Sequence, residues 1–123
     1  MRIPLGLAID TALILLFAAI GRRSHGEAGA LLGIATTAWP FLAGMAVGWL
    51  VVLLTFRRAP LRLRDGIPVW LCTVAIGMAL RSLAHSGTAA SFIVVATLFL
   101  GAGLLGWRAL AGRIHRPAPA REQ

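Results

Sequence analysis

The apolar residues of this chain fall into four runs of near-spanning length, separated by short connections that carry arginine. A helix needs about 20 apolar residues to cross a bilayer core roughly 30 Å thick, and inside that core it must satisfy its own backbone polar groups. The pattern therefore predicts an all-α integral membrane protein with four transmembrane helices, at about 3–20, 31–55, 67–83 and 88–110. Composition agrees. Of the 123 residues, 59% are hydrophobic and 13% charged, with a mean hydropathy of +0.84. A soluble domain carries about a quarter charged residues, so a chain this short and apolar cannot cover its own core in water. Residues 1–110 form one transmembrane domain in this reading, and 111–123 a disordered basic cytoplasmic tail.

The first run follows Arg2 and ends near a small-residue pattern, Ala19-Ile20-Gly21, which is also the outline of a cleavable leader. Asp10 inside the apolar stretch argues instead for a retained first helix. The formal net charge of +8 comes from twelve arginines, and these cluster between apolar runs rather than along a soluble face. Lipid headgroups and insertion topology account for them, and nucleic-acid binding is not expected. An even number of spans puts both termini on one side. With the termini cytoplasmic, Arg2, Arg57, Arg58, Arg62, Arg64, Arg108, Arg113, Arg116 and Arg121 lie inside and only Arg22, Arg23 and Arg81 outside. The expected location is the bacterial cytoplasmic (inner) membrane.

Slid by 58 positions, the chain matches itself: Phe41-Leu42 falls on Phe99-Leu100, Gly48-Trp49 on Gly106-Trp107, and Arg23-Ser24 on Arg81-Ser82. Two tandem helical hairpins forming a small bundle follow from that register. Gly44 and Gly48 meet Ala102 and Gly106, so both even-numbered helices carry a small-x-x-x-small stripe. In lipid such a stripe permits the close backbone approach on which helix association depends. These four residues are the expected packing positions. Pro40 is expected to bend the second helix, with Thr36 or Thr37 satisfying the carbonyl it frees. Pro68 is expected in the first turn of the third helix, and Arg81 to snorkel outward. Trp70 and Trp107 read as interfacial anchors, whereas Trp49 lies deeper, between helices.

Asp10 is the conspicuous polar candidate, about 10 Å from the inner end of the first helix. A carboxylate at that depth marks a functional site by default. It either faces the interior and holds a proton, a cation or an arginine, or it is shallow enough to reach interfacial water or caps a neighbouring helix through Trp49 or Arg108. On the outer side, Arg22, Arg23, Ser24, His25 and Arg81 form a candidate anion rim, set against the plainer reading of ordinary interfacial arginines. His25 and His85 lack metal-ligand spacing, and Cys72 stands alone, so no metal or cofactor is expected. Glu27, Asp65 and Glu122 read as solitary solvated acids. No nucleophile beside a base, paired carboxylate or phosphate loop appears, and no enzyme is expected.

Asp10, the turn Phe17-Ala18-Ala19-Ile20-Gly21-Arg22-Arg23-Ser24-His25-Gly26-Glu27 and the stretch Thr37-Ala38-Trp39-Pro40-Phe41 together resemble a family of small bacterial membrane proteins, domain of unknown function 3054 (DUF3054), best represented among high-GC actinobacteria. The resemblance implies a multi-span membrane protein and assigns no activity. From the residues themselves, the first expectation is a small non-enzymatic carrier or channel-like protein acting as an oligomer. The alternatives are an accessory subunit packed against a larger membrane complex, and an outer-rim binder of anionic or lipid-linked molecules. Membrane lipids, and either further copies or a larger complex, are the expected partners.

Overall fold

A computed structural model describes residues 3–21, 27–84 and 88–114. Four helices run in order: α1 Ile3–Gly21, α2 Glu27–Phe56, α3 Leu63–Leu83 and α4 Ala90–Ile114. Each contains a stretch long and apolar enough to cross a membrane, and there is no strand among the described residues. The protein is an all-α integral membrane protein. The helices form a ring in which α1 lies between α2 and α4, α3 closes the other side, and α2 packs most heavily on α3. The pairs α1–α3 and α2–α4 are diagonal.

The α2–α3 seam is where small residues are spent. A methyl group on Gly44 would lie 2.7 Å from the Cys72 carbonyl oxygen and 2.9 Å from Thr73 Cα; on Gly48 it would lie 2.8 Å from Val69 Cα. Gly77 of α3 receives the Phe41 ring in the same way. The stripe on α4 does not repeat this packing. Ala102 and Gly106 are exposed, and nothing stands within 4 Å of a methyl placed on Gly106. The expectation that they pack within the bundle is therefore corrected. Lipid is as apolar as a neighbouring helix, so a small-residue spacing shows that close approach is possible, not which surface uses it.

Towards the end that carries the α1–α2 and α3–α4 connections, the core is aromatic. Phe17 of α1 meets Phe41 edge-on at 5.4 Å between centroids, and lies 5.7 Å from both Phe92 and Phe99. Arg81, near the end of α3, lies over the Phe92 ring, 4.2 Å from its centroid.

Three further details refine the sequence reading. α2 is one helix with Pro40 inside it, but the Thr36 hydroxyl donates to the Leu32 carbonyl one turn back, not to the carbonyl Pro40 leaves free. α3 starts at Leu63, so Pro68 sits in the helix body rather than its first turn. Trp70 is no simple interfacial anchor: its indole lies on Gly101 and donates to the Thr97 carbonyl at 3.0 Å, sealing α3 to α4.

Candidate polar site of the bundle

Asp10 projects from α1 into the middle of the ring and is fully buried. Its partners come from both neighbours. Arg108 of α4 grips it with two parallel bonds, Nη2 to Oδ2 at 2.7 Å and Nη1 to Oδ1 at 3.0 Å. Trp49 of α2 donates to Oδ2 at 2.8 Å, and Trp107 of α4 donates to Oδ1 at 2.8 Å. Each carboxylate oxygen thus accepts one guanidinium and one indole N–H. Charge-assisted bidentate pairing of this kind is among the strongest side-chain interactions, and in a dry site an unmatched charge costs several kcal/mol, about 3–5 when one partner is removed.

The guanidinium is equally occupied. Arg108 Nε donates to the Pro60 carbonyl at 2.8 Å and Nη1 also donates to the Leu104 carbonyl at 2.8 Å. The Arg108 guanidinium also lies 4.6 Å from the centroid of the Trp107 ring. Local sequence makes these approaches possible. Gly6, one turn before Asp10 on the same face of α1, makes room for Leu61 of the α2–α3 connection, whose Cδ2 lies 2.5 Å from where a methyl would stand, with the Trp49 and Trp107 rings in ordinary contact beyond it at 3.4 and 3.6 Å. Gly66 does the same for the Arg108 stem, at 2.7 Å from Cδ. Pro60 centres a tight turn closed by Leu61 N–H donating to the Ala59 carbonyl at 2.8 Å. Its fixed φ suits that turn and leaves its own carbonyl to accept from Arg108. One carboxylate and one guanidinium thereby tie together α1, α2, α4 and the α2–α3 connection.

A second pair lies beside this connection. Arg58 donates to Asp65 through Nε at 3.0 Å and Nη2 at 2.8 Å. Asp65 is 2% exposed, so it is not the solvated loop acid expected; the Arg58 side chain remains 35% exposed. The hydrogen bond to Asp65, helped by its charge and opposed by desolvation, holds Arg58 above the ordinary arginine value. Neutralising Asp65 in this way lets α3 begin before its apolar run does.

Of the residues singled out from sequence, Asp10, Trp49, Trp107 and Arg108 come together, and Trp107 serves this cluster rather than the membrane interface. Gly44 and Gly48 serve the α2–α3 seam. Arg22, Arg23, Ser24 and His25 of the candidate outer rim, with His85 and His115, lie outside the described residues. Among the described residues no three His, Cys, Asp or Glu side chains gather as a metal site. Sequence reasoning missed Gly6, Pro60, Gly66 and the role of Asp65. Only Gly6 had a legible signal, its spacing of one helical turn from Asp10.

A four-helix membrane bundle with one saturated ion pair at its centre is the class these features define. The family model described as Protein of unknown function (DUF3054) matches residues 7–111, and the chain belongs to that family. No curated protein and no solved structure matches it.

Proposed function

We propose that this protein is a non-catalytic accessory subunit of a larger assembly in the bacterial cytoplasmic membrane, with both termini on the cytoplasmic side. The observation that carries the reading is the saturation of Asp10: its two oxygens accept four hydrogen bonds from the protein's own groups. A carrier that used this carboxylate to hold a cation or proton would first have to dismantle those bonds. Two threonine hydroxyls are turned back on their own helices, Thr73 to the Val69 carbonyl and Thr97 to the Ile93 carbonyl. Both features favour a fixed packing unit over the carrier reading. The outward, open stripe of Ala102 and Gly106 on α4 supplies a face on which another helix can approach closely. Nine of twelve arginines fall on the cytoplasmic side in this orientation.

Native mass spectrometry after gentle extraction from the native membrane tests the reading. The expected result is a larger partner at fixed stoichiometry, lost in a Gly106→Leu variant that still folds. A stand-alone homo-oligomer that conducts ions or solutes in liposomes would overturn it in favour of the carrier.

A further inference from the structure

We propose that the end of the bundle bearing the α2–α3 connection is a docking rim for anionic phospholipid headgroups, formed by Arg57, Arg62, Arg64 and Arg113. The inference is independent of the accessory-subunit reading. Among the described residues this end holds six arginines (57, 58, 62, 64, 108 and 113) and two aspartates, Asp10 and Asp65. Both acids are consumed internally, Asp10 by Arg108 and Asp65 by Arg58. Four guanidiniums are left, all on exposed residues and none in an ion pair or side-chain hydrogen bond among the described residues. They stand at the α2 end, on the connection, at the α3 start and at the α4 end, all at the end of the bundle where Arg108 anchors the connection through the Pro60 carbonyl.

Two details go beyond a generic basic loop. Arg57 has φ +58°, a left-handed conformation that closes α2 through its N–H bond to the Leu53 carbonyl at 3.0 Å. Glycine adopts that conformation freely and a non-glycine residue at a cost of about 1–2 kcal/mol. The fold alone therefore favours glycine, and an arginine there points to a use for its charge. Arg62 stands at the N-cap of α3 and makes no side-chain hydrogen bond to its first turn, so capping the helix does not use its guanidinium. Phosphodiester headgroups carry the complementary charge and accept bidentate arginine bonds. The connection beneath them is pinned from inside by the bond from Arg108 to the Pro60 carbonyl.

The test places the full chain in nanodiscs with equal amounts of phosphatidylglycerol and phosphatidylcholine, and reads nitroxide-labelled lipids for the protein-immobilised fraction. A basic side chain near an anionic surface is worth up to about a five-fold preference, so roughly three-fold or greater enrichment of phosphatidylglycerol is expected. At about 1 M salt, where screening acts within roughly 3 Å, the enrichment should shrink towards unity. Arg57→Gly should lower the enrichment while leaving the thermal midpoint unchanged or raised, a combination a purely structural arginine does not give. Replacing Arg57, Arg62, Arg64 and Arg113 together by Gln should abolish it, while Arg22→Gln with Arg23→Gln leaves it intact. Equal enrichment of both lipids in the unaltered protein overturns the proposal. So does loss confined to the Arg22 and Arg23 variant, or displacement by inorganic phosphate beyond that by chloride of matched ionic strength.

Discussion

α2 and α4 are related by the same 58-residue register, yet the bundle uses them differently. At one pair of matched positions the likeness is kept: Trp49 and Trp107 donate to the two different oxygens of one carboxylate, Asp10. Phe41 and Phe99, another matched pair, both meet Phe17. α1 is thus held between equivalent side chains of two diagonal helices. Elsewhere the likeness fails. Gly44 and Gly48 are pressed against α3, whereas Ala102 and Gly106 are exposed. The position matching Arg108 is Leu50, which is 53% exposed. A repeated sequence register fixes which residues recur at a given depth. The polar pair then decides which copy turns inward.

The largest expected effect breaks that asymmetry at its source. Arg108→Ala leaves Asp10 buried without a counter-charge and is expected to cost about 3–5 kcal/mol, enough to deplete folded protein in detergent. Leu50→Ala, at the matching place on α2, should change stability by less than about 0.5 kcal/mol. Thermal unfolding of the two variants side by side reads the contrast. Asp10→Asn with Arg108→Leu should recover part of the loss, because both charges leave together. Equal effects at positions 108 and 50 would mean that the ion pair does not organise the bundle.

The paired tryptophans come next. Trp49→Phe and Trp107→Phe each remove one N–H from a charged acceptor, expected to cost about 1.5–3 kcal/mol. Trp49, 4% exposed, should stand at the upper end of that range, and half-buried Trp107 at the lower. A double-mutant cycle with Asp10→Asn isolates the bonds: once the carboxylate is gone, the two substitutions should converge on the smaller cost of lost packing. If Trp107→Phe proved the costlier of the two, the ranking by burial would be wrong.

Much of this was legible in the sequence. The four runs, Asp10 as a residue needing a partner, and Trp49 and Arg108 as possible partners all follow from composition and spacing. What was hidden is physical in origin. Helical period shows which residues share a face but not whether that face meets lipid or protein, since both are apolar, and so the α4 stripe was misassigned. The pairing of Asp65 with Arg58 joins a connection to the helix after it, across seven positions whose geometry depends on Pro60 and on the left-handed Arg57. Gly66 acquires its role only once α3 lies against Arg108. Single acids and glycines acquire meaning from helix order round the ring, which hydropathy does not encode.

The smallest expected effects sharpen the comparison between the two stripes. Gly44→Ala places a methyl 2.7 Å from the Cys72 carbonyl oxygen and 2.9 Å from Thr73 Cα, contacts made with backbone that cannot swing aside. Separating α2 from α3 to relieve them should cost about 1–3 kcal/mol. Gly106→Ala meets nothing within 4 Å and should stay within about 0.5 kcal/mol of the parent. Denaturation of the isolated chain in detergent measures both. The same pair measured in native membranes asks a different question, because only there is an outside partner present. If Gly106→Ala is silent in detergent but lowers the midpoint in the membrane, the face left open by the chain is covered by another molecule. If it is silent in both, that stripe faces lipid alone, and the accessory reading loses the surface on which it depends.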